Sequence, residues 1–218
     1  EDGCLSPSIA LSIRVSLPAE TPMSLLDWIT PESGLRLDGA GVVLRAPRFR
    51  DFEAWSDLRA RSRAFLQPWE PLWPPDDLER RAFRRRLAVY AREIAAGTSY
   101  PFFIFDVPSD RLTGAITLHN VRRGVAQTAT MGYWIGEPFA GKGRMTAAVR
   151  TVIDFAFRGL GLHRLEAACV LDNEASRRVL LKTGFAHEGT ARAYLKINGV
   201  WRVHLLFGMI SDSSPGQR

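Results

Sequence analysis

Residues 130–149, TMGYWIGEPFAGKGRMTAAV, decide how the rest of this 218-residue chain is read. Apolar alternation runs into a loop holding Gly136, Pro138, Gly141 and Gly143. Met145, Val149, Val152, Ile153 and Ala156 then recur at helical spacing. The pattern predicts a strand, a Gly-rich turn and a helix that starts near Lys142. Such a turn binds anions for a physical reason. The first N–H groups of a helix have no internal partner, and the macrodipole adds partial positive charge there. Glycine lets a ligand approach the backbone and tolerates positive φ. Lys142 and Arg144 bring formal charge to the same place. A phosphate or pyrophosphate is the expected ligand. The plain alternative is an ordinary strand-to-helix turn, although two glycines around one lysine exceed what a turn needs.

Two phosphate ligands compete for the loop. Gly136, Gly141 and Lys142 stand at P-loop spacing, but Gly143 takes the position of the magnesium-binding Ser or Thr. Asp154 falls inside the helical pattern rather than at the end of an apolar strand, which argues against a nucleotide triphosphatase. A coenzyme A pyrophosphate needs no metal hydroxyl.

Downstream, residues 165–171 read as a strand and residues 173–182 as a short helix. Residues 185–197 and 201–209 read as a hairpin around Asn198-Gly199, a strong turn signal. Upstream, residues 102–105, 112–121 and 128–135 are strand signals separated by short turns, as in an antiparallel meander. The strand after the Gly-rich helix is expected to run parallel to the one before it, through a right-handed crossover.

Residues 42–44 read as the first strand and residues 48–64 as a helix with Phe52, Trp55 and Leu58 on one side. Residues 66–75, LQPWEPLWPP, are expected to be non-helical, because proline removes donors and biases its predecessor to extended geometry. Asp76 to Glu79 look like an acidic first turn of the next helix, whose apolar face is Phe83, Leu87, Tyr90 and Ile94. Arg80, Arg81, Arg84, Arg85, Arg86 and Arg92 crowd its other faces. They read either as a solvated face or as an electrostatic landing site for ribosomal RNA or an acidic partner. Residues 1–40, interrupted by Pro7, Pro18, Pro22 and Pro31, are expected to be an extended or partly disordered arm. Met23 is a candidate natural start. The boundaries are an arm at 1–40, a domain at 41–210 and a tail at 211–218.

Composition narrows the class. With 46% apolar and 24% charged residues, one globular domain with a real core is expected. Cys4 and Cys169 are far apart, and His119, His163, His187 and His204 show no ligand spacing. Neither a disulfide framework nor a metal is expected, and a reducing compartment is. No apolar run reaches spanning length, so a cytoplasmic protein without a membrane is expected. The net charge of +6 favours polyanionic surroundings.

AGKGRMTAA followed by LHRLEAACVLDNEASRRVLLKTGFAHEG resembles the GNAT acetyltransferase superfamily, and within it the ribosomal-protein-alanine N-acetyltransferase branch. LQPWEP and YLKINGVWRVHL are similar to that branch too. The resemblance implies a single mixed α/β domain: a twisted, mostly antiparallel sheet with one parallel, splayed strand pair, flanked by helices. It implies acetyl-CoA as co-substrate. The pyrophosphate would lie on Gly141, Lys142, Gly143, Arg144, Met145 and Thr146, and the pantetheine between the splayed strands near Trp134 and Ile135. Asn173 would contact the pantetheine arm, and Ser176 would lie near the sulfur as donor or acid. Helix capping is the alternative for this pair. Glu70, beside the acceptor, is implied as a base or amine-orienting group, and otherwise as a solvated loop carboxylate. Tyr194 is a further acid candidate and Glu137 a further base. The implied acceptor is the N-terminal amine of a protein, such as a ribosomal protein. A small amine (an antibiotic or polyamine) and a non-catalytic CoA- or RNA-binding module are the alternatives. Three positions depart from the family pattern: Ala140, Met145 and Val203.

Overall fold

The computed structural model describes residues 34–211. Eight strands form one sheet in the order β1-β2-β3-β4-β5-β6-β8-β7. They are β1 (Arg36–Gly39), β2 (Val42–Arg45), β3 (Tyr100–Asp106), β4 (Arg111–Arg122), β5 (Thr128–Ile135), β6 (Arg164–Val170), β7 (Ala186–Ile197) and β8 (Val200–Ile210). Every neighbouring pair is antiparallel except β5 and β6, which are parallel. The meander, the parallel crossover and the closing hairpin agree with the sequence. At the hairpin turn both Asn198 and Gly199 have positive φ, 45° and 82°. That geometry matches the twist of the flanking strands.

Helices cover both faces. On one, α4 (Arg144–Asp154) and α5 (Glu174–Lys182) pack over β2 to β6. Met145, Ala148, Val149 and Val152 form the buried stripe of α4, at the i, i+3, i+4, i+7 spacing of a core-facing helix. On the other lie α1 (Phe52–Arg61), the single turn α2 (Arg63–Leu66) and α3 (Arg80–Ala96). β3 is apolar without alternation because both of its faces are covered. Phe102 and Ile104 join the α4 core, and Phe103 and Phe105 join the α1/α3 core. Phe83 is fully buried there, with ring centroids 4.9 Å from Trp55 and 5.5 Å from Phe52.

Four details differ from the sequence reading. Residues 1–33 of the expected arm lie outside the described residues, but Arg36–Gly39 is an edge strand paired with β2. The helix expected over 48–64 is interrupted at Ser62, whose buried hydroxyl accepts a hydrogen bond from the Glu137 N–H at 3.0 Å. Within 66–75, Gln67–Trp69 forms a 3-10 turn around Pro68, which needs no N–H there. The acidic residues 76–79 precede α3 rather than open it. Their carboxylates meet the arginines of α3: Asp76 with Arg85 and Asp77 with Arg86, each at 2.6 Å. Arg80 pairs with Glu53 and Arg81 with Glu79. Four of the six arginines are therefore paired with carboxylates, and the run is not a bare cationic stripe. An RNA landing site finds no support in it. No helix among the described residues is long and apolar enough to cross a membrane.

Candidate functional site

The loop after β5 is shaped by glycine at two levels. A Cβ on Gly136 would sit 2.4 Å from Leu58 Cδ1, so glycine lets the end of β5 lie against α1. Gly141 and Gly143 have φ of 72° and 78°, the left-handed region that other residues resist. Nothing lies within 4 Å of a Cβ built on either one, so the turn presents open backbone. The N–H groups of Gly141, Lys142, Gly143, Arg144, Met145 and Thr146 meet no acceptor among the described residues. The first bond in line runs from the Ala147 N–H to the Gly143 carbonyl. A helix N-terminus leaves four such donors, and here the glycine turn adds two more. This cradle fits a diphosphate through the main chain alone.

The side chains of the loop are occupied elsewhere. Lys142 Nζ donates to the Pro138 carbonyl at 2.8 Å, and Arg144 Nε donates to Asp106 Oδ1 at 2.6 Å. Arg144 and Ser109 hold the Asp106 carboxyl below the usual carboxylate range. Met145 is a core residue. The formal charge expected at the anion is thus spent on the loop's own structure, and the donors are backbone.

β5 and β6 pair from Thr128↔Arg164 to Met131↔Ala167 and then part. Beyond that point β5 stays bonded to β4, and β6 to β8. The Gly136 N–H donates to the Thr113 carbonyl on the β4 side. Because N–H directions alternate along a strand, the N–H groups of Tyr133 and Ile135 face the gap. An extended amide chain can pair with that free edge as an added strand would.

At the α4/α5 side of the gap, Asn173 Oδ1 caps α5 by accepting the Ser176 N–H at 3.0 Å. The capping that was the alternative reading is therefore present, and it fixes the turn that carries Ser176. The half-buried Ser176 hydroxyl lies 2.8 Å from Tyr133 Oη and faces the Cys169 thiol. Burial raises the Tyr133 phenol well above its ordinary pKa and pushes the Cys169 thiol up to about 11, so both keep their protons near neutrality. Tyr133 was missed in sequence because it sits in apolar alternation, where a tyrosine reads as core.

On the α1/α3 side, Glu70 is not a free carboxylate. Arg59 donates to both of its oxygens, at 2.7 and 2.8 Å, and Trp73 Nε1 donates at 2.7 Å. The Arg59 guanidinium lies 4.0 Å from the Trp73 ring centre and 4.9 Å from that of Trp134. The Asn198 N–H donates to the Glu70 carbonyl at 2.8 Å, tying the hairpin tip to this loop. A cavity of about 320 Å³ adjoins, lined by Arg59 and Trp134 and not by Glu70. The carboxylate expected as a base, an amine-orienting group or a solvated loop residue is thus a member of a fixed ion pair that does not line the cavity. Arg59 went unremarked in sequence. Its signal is a charge at the i, i+3, i+7 positions begun by Phe52 and Trp55, on the buried side of a helix. Of the other candidates, Tyr194 packs on His204 with centroids 5.5 Å apart, and Glu137 is exposed on the loop; no hydrogen bond joins either side chain to Ser176.

Comparison with known proteins agrees with this geometry. Residues 42–186 match the family described as the Acetyltransferase (GNAT) domain. The chain is 37% identical over 175 residues to "Probable N-acetyltransferase YjcK" of Bacillus subtilis, covering 80% of this chain and 97% of that protein. It is 32% identical to the [ribosomal protein uS5]-alanine N-acetyltransferase of Escherichia coli, covering 84% of this chain and 95% of that protein. The crystal structure of Mycobacterium smegmatis RimJ in complex with CoA-disulfide superposes with a TM-score of 0.76 at 33% identity, covering 83% and 88% of the two chains. A glycine turn of unbonded donors, a splayed parallel pair and a capped serine at its end occur here in a chain with such relatives: the protein belongs to the GNAT acetyltransferase family and is an N-acetyltransferase.

Proposed function

We propose that the protein transfers the acetyl group of acetyl-CoA to the N-terminal α-amine of a protein chain, and that the acceptor is a ribosomal protein. The observation that carries the donor half is the run of unbonded N–H groups from Gly141 to Thr146 beside the parted strands. The acceptor half is supported by the uS5-alanine N-acetyltransferase name of the E. coli relative and by a cavity open at the level of the gap. A ribosomal-protein acceptor places the reaction in the cytoplasm.

The residues divide the work by location. Gly141, Lys142, Gly143, Arg144, Met145 and Thr146 grip the pyrophosphate through their N–H groups. The free edge at Tyr133 and Ile135, with Trp134 between them and Asn173 across the gap, aligns the pantetheine arm. The Ile135 N–H is directed at the gap and supplies a donor to the oxyanion that forms when the neutral amine adds to the thioester carbonyl. As the carbon–sulfur bond breaks, the Ser176 hydroxyl passes a proton to the departing sulfur and is reprotonated by the proton that the attacking nitrogen loses, so the amide and the free thiol leave with Ser176 restored. Tyr133, still protonated, hydrogen-bonds Ser176 and holds that hydroxyl in place. Glu70, fixed by Arg59 and Trp73, orients the acceptor side rather than swinging in as a mobile base. Catalysis on this scheme is mainly positioning.

Calorimetry with acetyl-CoA, followed by a thiol-release assay over alanyl and seryl peptides, aminoglycosides and polyamines, tests the reading. Turnover of peptides above small amines is the expected result. Turnover confined to the small amines would replace the acceptor class, and tight binding without turnover on any amine would remove the enzymatic role.

A further inference from the structure

The 320 Å³ cavity on the α1/α3 face has a chemistry of its own. Its walls include the rings of Trp55, Phe103 and Trp134, and it runs beside the main chain of Gly132, where β5 has just lost β6. A side chain seated here therefore adjoins a thioester held in the gap. Two hydroxyls line it with no partner among the described residues, and one buried nitrogen lies in its wall. Arg59 is only 7% exposed, and its Nε has no acceptor. The hydroxyls of Thr117 and Tyr90, which also line the cavity, bond to no other described residue. Burial raises the Tyr90 phenol above its ordinary pKa, so it remains a neutral donor. Hydroxyls that only water satisfies can exchange that water for a ligand's hydrogen bond.

Charge narrows the ligand further. Arg59 and Arg86 line the cavity, and their countercharges, Glu70 and Asp77, bond to them from outside the lining. A cationic group entering would meet two guanidinium groups first. Size narrows it again. A Cβ on Gly132 would touch only His119 Nε2, at 3.7 Å, so glycine here leaves the cavity open without being required by any clash.

Resting on the reading that the acceptor is a protein N-terminus, we propose that this cavity receives the first side chain of the acceptor and selects a neutral, hydrogen-bonding group larger than the methyl of alanine, as in Asn, Gln or Thr. An alanine methyl would leave most of the volume and both hydroxyls to water.

A peptide series differing only at its first residue (Ala, Ser, Thr, Asn, Gln, Lys) tests this through kcat/KM. Peptides beginning with Asn, Gln or Thr should exceed the alanyl peptide by about tenfold, the worth of one satisfied hydrogen bond. The lysyl peptide should be the poorest. Gly132→Ala adds a methyl in open space and should lower kcat/KM for the Asn and Gln peptides more than for the alanyl one. Thr117→Val combined with Tyr90→Phe should erase the preference. An alanyl peptide that is best in the wild type, with a ranking that Gly132→Ala does not alter, would overturn the inference. Equal turnover of the whole series would overturn it while leaving peptide acetylation intact. Acetyl-CoA binding with no peptide turned over would overturn the proposed acceptor class and this inference with it.

Discussion

The two halves of the site are built from different material. The donor half is main chain: six N–H groups at a glycine turn and the free edge of a strand, with the nearby cations turned to other partners. The acceptor half is side chain: Arg59 between two indole rings, Glu70 held on both oxygens, and a cavity with polar groups at its edge. Backbone donors can grip any diphosphate, whatever the loop's side chains are. A side-chain cavity can be retuned to one acceptor by a few substitutions. On the proposed function one chain combines a general device with a specific one, and Ser176 stands where they meet.

This division can be broken from either side. The largest expected effect is on the acceptor half. Glu70→Ala leaves the Arg59 guanidinium, 9% exposed, without its main countercharge, a loss of about 3–5 kcal/mol for buried pairs. The melting temperature should fall by about 10 °C. Acetyl-CoA affinity, measured by calorimetry below the transition, should stay the same while KM for the acceptor rises. An equal loss of acetyl-CoA affinity would show that the halves are not separate. Next is the junction. Ser176→Ala should lower kcat by about 100-fold with KM for acetyl-CoA little changed, the range of one general acid. An unchanged kcat excludes the acid role. Third is the donor half. Gly143→Val forces a β-branched residue to φ near 78° and should weaken acetyl-CoA binding by about tenfold, from about 1–2 kcal/mol of backbone strain. The ranking of acceptors should not move.

The smallest effect concerns the brace of the donor loop. The Asp106 carboxyl is held low, first by the hydrogen bond from Arg144 and then by that from Ser109. A carboxylate depressed in the fold contributes stability that is fully present above its unfolded pKa of about 4 and is lost as the pH falls through the lower folded value. Asp106→Asn should therefore lower the melting temperature slightly at pH 7, and the gap to the wild type should close as the pH drops below about 4. A gap that stays constant down to pH 2 would remove this assignment.

The same contrast explains what could be read from sequence. Strand, glycine turn and helix are neighbours in the chain, so the loop at Gly136 to Gly143 announces itself, and so does the Asn198-Gly199 turn. The parallel crossover followed from the helix between two apolar runs. The acceptor half depends on partners that only the fold brings together. The Gln67 side chain bonds Asn198 across 131 positions, and Ser62 bonds the Glu137 N–H across 75. Arg59 and Glu70 are 11 apart, with a helix break and a 3-10 turn between them. Nothing local says that this carboxylate will be clamped, so a base, an amine-orienting group and a solvated loop carboxylate all fit the sequence. Lys142 and Arg144 mislead in the opposite sense. Two cations beside a glycine turn suggest charge aimed at a ligand, whereas one closes the loop on Pro138 and the other braces it against Asp106.

The small seam between Gly136 and Leu58, with Ser62 bonded to the Glu137 N–H, joins the end of α1 to the glycine turn. Any rocking of that helix when a large acceptor docks would be handed to the turn through a hydroxyl and one glycine-wide contact. Gly136 and Ser62 are therefore places where a change would couple or uncouple the order of substrate binding without altering either binding surface.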